Sequence, residues 1–242
     1  GIDVSNVEVG NIHVEMQYFT KREPFSIAAG LDHAIAILKE CTGRFNPKGK
    51  FVSTCKNLEI DALQDGAKLA PSSAALRIRG RYRDFAILET PTLGAVARRT
   101  RIATNVYETL VAAKGKPVFF FPARFDIHEA QAGDGYAYKI AVERYNYDYG
   151  VKLKPLITTE AQGDWWGMKG AGTTSHSFVL CFLRDTAESM MVFARVLPLE
   201  VKRIALVDTN NDNIGDSLKT AKRMFQKYAE LKERGNDPEA QK

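Results

Sequence analysis

Three polar segments of this 242-residue sequence carry side chains that could do chemistry. Residues 122–129 follow the apolar run 118–121 and contain a guanidinium, two carboxylates and an imidazole. Residues 162–177 combine glycines, hydroxyls, a lysine and a histidine, and such loops can present backbone N–H groups to phosphate. Residues 208–212 follow the apolar run 204–207 and offer oxygen atoms that could bind ribose hydroxyls or Mg²⁺. Together, these segments indicate a polar site suited to phosphate.

Each segment also has a purely structural interpretation. An arginine after a strand is often a salt-bridged surface residue, and residues 208–212 could simply cap the following helix. His176 precedes an apolar run and could be a structural histidine. The sequence contains no P-loop, HExxH, GxSxG or dinucleotide-binding motif that would decide between the interpretations. Residue types and spacing alone therefore indicate a phosphate-friendly α/β protein and no specific reaction.

The elements around these segments predict an α/β architecture. The continuous apolar run 118–121 is typical of a strand buried on both faces, as in parallel sheets. Helical patterns surround it, and a further strand is predicted near 153–158 and another apolar run at 204–207, which leads into a helix with Leu218, Ala221, Phe225 and Tyr228 on one face. Alternating strands and helices form a barrel or an open sheet, in which active-site residues gather at the C-terminal strand ends. The polar segments occupy those positions.

The N-terminal part predicts a strand over 14–19, a helix within 26–41 and a basic strand near 76–83. In the basic strand, apolar residues alternate with Arg77, Arg79, Arg81 and Arg83. Rows of charged residues usually face solvent, so we favour a solvated face over a nucleic-acid-binding face.

Composition excludes several classes of protein. With 45% hydrophobic and 26% charged residues, the sequence is not disordered, collagen-like or a small disulfide scaffold. The net charge of +5 suits an anionic substrate but does not by itself indicate nucleic-acid binding. Three cysteines without CxxC spacing favour neither disulfides nor zinc. No apolar run approaches the roughly 20 residues that span a membrane, and we expect a soluble, cytoplasmic protein without membrane or nucleic-acid partners.

Sequence motifs give a more specific indication, because they resemble those of the nicotinate phosphoribosyltransferase family and occur in its order. Residues 172–177, GTTSHS, resemble the family's GTxxHS segment. The other motifs are the preceding loop at 162–167, the strand at 118–124 that ends in Phe-x-x-Arg, the LVDT strand at 205–209 and the GRY…ET junction at 79–90. The agreement extends over nearly the whole chain.

The resemblance implies a small α/β N-terminal domain at residues 1–88, of which part is present, and part of an irregular (β/α)8-type barrel at residues 89–242. The family has a tyrosine-bearing segment before the strand at 14–19. It also has an acidic ribose-binding motif and a glycine-rich phosphate-binding loop after the last helix. Because the sequence lacks these segments and starts with Gly1, we expect it to be a fragment. Family members commonly pair, which implies a homodimer.

The family condenses nicotinate with phosphoribosyl pyrophosphate in NAD salvage, giving nicotinate mononucleotide and pyrophosphate. The reaction uses Mg²⁺ and is coupled to ATP hydrolysis through a phosphohistidine. The resemblance places the phosphate on His176 and a ribose-binding or metal-binding role on Asp208, as the two catalytic residues. Phe121 would stack on the pyridine ring, and Arg124 would pair with carboxylate or phosphate. The substrate-binding residues that the resemblance implies are Phe121, Arg124, Thr173, Ser175 and Thr209.

Two alternatives remain open from the sequence. Sister phosphoribosyltransferases that act on nicotinamide or quinolinate share the architecture, and a few pocket residues distinguish the substrates. A fragment without the phosphate-binding half could also be a catalytically inert binding module.

Overall fold

The computed structural model describes residues 8–241 and divides into two compact units. The first unit contains Gly1–Leu156 and Glu160–Met168, and the second contains Ile157–Thr159 and Lys169–Lys242. Helices and strands are mixed throughout, which confirms the predicted fold class, although the described strands form no closed barrel. The predicted domain boundary between residues 88 and 89 stays a prediction.

The strands, in chain order, are β1 (His13–Phe19), β2 (Ser26–Ile27), β3 (Gly43–Phe45), β4 (Phe51–Ser53), β5 (Glu59–Ala62), β6 (Lys68–Leu69), β7 (Ala74–Arg81), β8 (Phe119–Phe120) and β9 (Leu156–Ile157). The α-helices are α1 (Leu31–Cys41), α2 (Tyr82–Phe85), α3 (Glu89–Ala113), α4 (Gln131–Tyr149), α5 (His176–Leu180), α6 (Thr186–Val196), α7 (Asn213–Glu233) and α8 (Asp237–Ala240). Among the described helices, none is both long and apolar enough to cross a membrane.

An antiparallel sheet in the order β1-β7-β5 forms one side of the first unit. Residues of β7 alternate between its two faces, so that Leu76 and Ile78 are buried against α1. On the other face, Arg79 forms ion pairs with Glu15, Glu59 and Asp61. Neighbouring carboxylates therefore balance much of the basic row, which supports its interpretation as a solvated face.

Helices α3 and α4 pack against each other, and α1 packs on α3. The helical patterns predicted around residues 118–121 are confirmed, since the continuous helices α3 and α4 lie on either side of that run. The buried side chains of α1 recur every three or four residues at Leu31, Ala34 and Leu38, as one helical face requires. This helical layer leads directly into residues 118–127.

The two apolar runs differ from their prediction. Of residues 118–121 only Phe119 and Phe120 form a strand, and Phe119 and Phe121 are 41% and 54% exposed, so burial on both faces is wrong. Phe120 stacks on Tyr138 of α4 at 5.1 Å, which covers one side of the run. Residues 204–207 form no regular strand, and the strand near 153–158 shortens to β9. A run predicts burial only where neighbours cover both of its faces.

In the second unit, α6 packs on α7, and α8 follows against α7. The apolar face that the pattern of α7 predicts is exposed, with Leu218 and Phe225 at 66% and 74%. The helix instead turns Asp216, Thr220 and Leu231 inward. Asp216 accepts a hydrogen bond from the Thr186 hydroxyl of α6 at 3.3 Å. The buried face of α7 is therefore not the apolar face that the sequence pattern predicts.

Candidate functional site

His176 and Asp208, 32 residues apart in the sequence, form a pair in the second unit. The distance between His176 Nε2 and Asp208 Oδ1 is 3.0 Å, and both side chains are partly open to solvent, at 38% and 52%. His176 is the first residue of α5, and the preceding residue, Ser175, caps the helix by accepting a hydrogen bond from Phe178 N at 3.2 Å. The cap fixes the backbone at the position from which the imidazole projects.

Hydrogen bonds of Thr174 connect the segment that carries His176 to the segment that carries Asp208. The backbone N of Thr174 donates to the Ile204 carbonyl at 3.1 Å, and its Oγ1 accepts a hydrogen bond from Leu206 N at 3.0 Å. His176 lies two residues beyond Thr174, and Asp208 lies two residues beyond Leu206. The bonded segments therefore bring the imidazole and the carboxylate side by side.

Replacing Thr174 with valine should destabilise the second unit, because Leu206 N then loses its buried acceptor. The expected cost is about 1–2 kcal/mol in the free energy of unfolding, measured by urea denaturation. Thr220→Val is a matched control: Thr220 is also 4% exposed, but its hydroxyl has no hydrogen-bond partner among residues 8–241. The control should be neutral or stabilising, and an equal loss in both variants would contradict the assigned role.

Other hydroxyls of the site are used in different ways. Thr173 Oγ1 donates to the Thr174 carbonyl at 2.9 Å, and Ser175 Oγ lies 3.0 Å from Ser177 Oγ in addition to capping α5. Thr209 Oγ1 is buried and lacks a hydrogen-bond partner in the described part of the chain. The substrate-binding roles of Thr173, Ser175 and Thr209 remain predictions.

The glycine-rich loop contains a close backbone approach that sequence reasoning did not identify. A Cβ atom on Gly170 would lie 2.7–2.9 Å from backbone atoms of Thr159, and the next residue, Ala171, donates its N–H to the Ile157 carbonyl at 2.8 Å. Gly170 is therefore required for packing of the loop backbone, whether or not the loop also binds phosphate.

Phe121 and Arg124 lie on one exposed turn of the first unit. The N–H groups of Phe125 and Asp126 both donate to the Pro122 carbonyl at 3.1 Å and close the turn. Arg124 has a φ of +74°, in the left-handed region that non-glycine residues rarely adopt. The structure thus brings Phe121 and Arg124 together in one unit and His176 and Asp208 together in the other.

The first unit also shows a role for Trp165. Its ring lies 5.5 Å from the His33 ring, edge to face, and 4.9 Å from the Arg99 guanidinium. Burial lowers the pKa of His33, and the charge of Arg99 lowers it further. The next residue, Trp166, donates its indole N–H to the Gln162 carbonyl at 2.8 Å. These aromatic residues anchor the start of the glycine-rich loop within the first unit.

The described residues contain no cluster of three or more His, Cys, Asp or Glu side chains that could hold a metal ion by itself.

Sequence comparisons find a family model and relatives that are named as phosphoribosyltransferases. Residues 3–100 match the family model described as quinolinate phosphoribosyl transferase, N-terminal domain. A nicotinate phosphoribosyltransferase of Arabidopsis thaliana is 32% identical over 130 residues, covering 53% of this chain and 22% of that protein. Another, from Mycobacterium tuberculosis, is 26% identical over 162 residues, covering 65% and 34%. The matched part of the chain thus spans about a fifth to a third of these relatives.

Solved structures share the fold. Nicotinate-nucleotide pyrophosphorylase from Pyrococcus furiosus aligns with 93% of this chain and 58% of its own, with a TM-score of 0.67 and 23% identity. Human nicotinic acid phosphoribosyltransferase aligns with 72% of this chain and 37% of its own, with a TM-score of 0.53 and 21% identity. The resemblance inferred from the motifs is confirmed, and the chain has a phosphoribosyltransferase-type fold.

Proposed function

We propose that this chain carries the phosphohistidine site of a nicotinate phosphoribosyltransferase. The protein would condense nicotinate with phosphoribosyl pyrophosphate, giving nicotinate mononucleotide and pyrophosphate for NAD salvage, with ATP hydrolysis coupled through His176. The observation that carries this proposal is the 3.0 Å contact between His176, which belongs to the GTTSHS segment, and Asp208. Similarity to nicotinate phosphoribosyltransferases supports the same reaction.

In this proposal, Nδ1 of His176 is the nucleophile. Asp208 accepts the Nε2–H, so the lone pair of the neutral imidazole lies on Nδ1. Nδ1 attacks the γ-phosphorus of ATP, the bond from that phosphorus to the bridging oxygen breaks, and ADP leaves with the electron pair. The proton stays on Nε2, where the Asp208 carboxylate stabilises the growing positive charge of the ring.

The glycosyl transfer needs no protein nucleophile. The nicotinate ring nitrogen attacks ribose C1 while the bond from C1 to pyrophosphate breaks, and negative charge collects on the leaving group. Catalysis is then largely electrostatic, through cations placed around the phosphates and the pyridine carboxylate. In this proposal the exposed Phe121 ring stacks on the pyridine, and the planar fork of Arg124 binds its carboxylate.

The proposal includes Mg²⁺ as a cofactor, and Asp208 and Thr209 offer oxygen atoms that could bind it. Mg²⁺ commonly takes one or two carboxylates and fills its remaining positions with water and substrate phosphates. Asp208 contacts His176 through Oδ1, which leaves Oδ2 as a possible ligand, and the orphan hydroxyl of Thr209 is next to it in sequence. When bound, Mg²⁺ would neutralise charge on the phosphates.

Turnover and binding assays test the proposal. The purified chain, and a longer protein that contains it, are supplied with phosphoribosyl pyrophosphate, ATP and one of nicotinate, nicotinamide or quinolinate, and pyrophosphate release is measured. Turnover with nicotinate supports the proposal. The match of residues 3–100 to the quinolinate family favours quinolinate as the second candidate, and turnover with quinolinate alone would replace nicotinate. If calorimetry shows binding of nicotinate or phosphoribosyl pyrophosphate but neither protein turns the substrates over, the chain is an inert binding module.

A further inference from the structure

The turn that presents Arg124 is anchored from α3 by Arg98. Arg98 Nη2 donates to Asp126 Oδ1 at 2.9 Å, two residues beyond Arg124. The same guanidinium forms a bidentate pair with Asp134 of α4, from Nε to Oδ1 at 2.8 Å and from Nη2 to Oδ2 at 2.7 Å. Asp134 is only 2% exposed. Because the bidentate pair fixes the guanidinium plane, Asp126 meets a donor with little freedom to move.

Two buried glutamines also hold this turn through hydrogen bonds. Gln131 Nε2 donates to the carbonyls of Asp126 at 3.3 Å and Ile127 at 3.4 Å. Gln162 Nε2 in turn donates to Gln131 Oε1 at 2.9 Å. Gln131 binds backbone carbonyls of the turn, whereas Arg98 binds the side chain of Asp126. Substitution of Asp126 can therefore remove the ion pair with Arg98 without disturbing the hydrogen bonds of the buried glutamine side chains.

Arg124 depends on such anchoring because of its backbone. A non-glycine residue at a φ of +74° is disfavoured, and it persists only where neighbouring contacts hold it. Without the anchor, Arg124 would return to commoner backbone conformations, and its side chain would leave the turn in a different direction.

We propose that Arg98 is a positioning residue, which holds the turn through Asp126 and so aims the Arg124 guanidinium at an anionic substrate group. This inference rests on the proposed function, in which Arg124 binds the pyridine carboxylate. In this role Arg98 acts through the turn, since its Nε and Nη2 donate to Asp134 and Asp126. The pairs with Asp134 and Asp126 raise the pKa of Arg98 further above its ordinary value. Arg124, in contrast, has no ion pair within residues 8–241.

Asp126→Asn is the most direct test, because it removes the charge that faces the turn and leaves the buried Arg98–Asp134 pair intact. We expect the KM for nicotinate to rise about tenfold while kcat falls less than about twofold, since misplacement of a binding group weakens binding first. Hydrogen exchange at the amides of Phe125 and Asp126 should accelerate. Asp126→Glu, which restores the charge, should recover part of both effects.

Glu143→Gln is the matched control. It removes a carboxylate from α4 that pairs only with Lys139 on the helix surface, at 2.8 Å in the contacts described. It should change neither KM nor exchange in the turn. Asp126→Asn with unchanged exchange would overturn the anchoring, and faster exchange with unchanged KM would overturn the link to substrate. Failure of the wild-type protein to bind or convert nicotinate would count against the proposed function, while the exchange measurement still tests the anchor.

Discussion

His176→Ala should abolish the ATP-dependent part of pyrophosphate release, with a loss of about 10³-fold or more, because the variant has no nitrogen to accept the phosphoryl group. The release is measured at fixed nicotinate and phosphoribosyl pyrophosphate, with and without ATP. Incubation with γ-labelled ATP should label the wild-type protein in an acid-labile, alkali-stable bond, as phosphohistidine requires, and should leave the variant unlabelled.

His13→Ala is the control for this experiment, because His13 is an exposed residue of β1 in the first unit. It should keep both the label and the stimulation by ATP. Persistent ATP stimulation in His176→Ala would show that His176 does not carry the phosphate.

Asp208→Asn distinguishes the two roles considered for this carboxylate. If Asp208 acts by stabilising the imidazole, the variant should label more slowly, by about 10–100-fold, because an amide cannot supply the negative charge. If Asp208 acts mainly on ribose or metal, labelling should persist and the KM for phosphoribosyl pyrophosphate should rise. The 3.0 Å contact with His176 favours the first result.

Local periodicity was sufficient to predict the elements whose burial depends on their own pattern. The alternating residues of β7 and the apolar spacing of α1 each define one face, and that face is buried in the structure. Residues 118–121 and the exposed face of α7 failed because burial there depends on neighbours far away in sequence. The residue pattern within those segments does not indicate whether such neighbours exist.

The candidate site residues come from motifs and not from periodicity, and their roles stay predictions. Nothing in the spacing brings His176 close to Asp208, and the hydrogen bonds of Thr174 that do so involve backbone atoms, which have no sequence signature. The contact by which Arg98 anchors the turn was not predicted, because two adjacent arginines in a helix are typical of ordinary surface charge.

The glycines inside α4 are a sequence signal of close packing. Glycine costs about 1 kcal/mol in a helix interior relative to alanine, so two of them indicate a close approach. A Cβ on Gly133 would lie 2.5 Å from Arg99 Nη2, and a Cβ on Gly135 would overlap the Gln162 carbonyl. Both glycines therefore mark where α3 and the start of the glycine-rich loop pack against α4.

The conformation of Arg124 allows its charge to be tested separately from its backbone. Arg124→Gly should preserve the turn, because glycine adopts a φ of +74° without penalty, and it should unfold at the same temperature as the wild-type protein or slightly higher. Its Kd for nicotinate should nevertheless rise about 100-fold, the effect of losing a bidentate, charge-assisted pair. Arg124→Lys should fall between the two proteins, since it keeps the charge without the planar fork.

Nicotinamide provides the control ligand for Arg124, because it has the same ring without the negative charge. If the Arg124 guanidinium binds the pyridine carboxylate, Arg124→Gly should weaken nicotinate binding in titration calorimetry and leave any nicotinamide binding nearly unchanged. Equal weakening of both ligands would mean that Arg124 contacts the ring or the phosphates. Because the glycine variant keeps the turn, a selective loss of nicotinate would assign carboxylate recognition to the guanidinium itself, separately from the backbone that Arg98 and Asp126 hold.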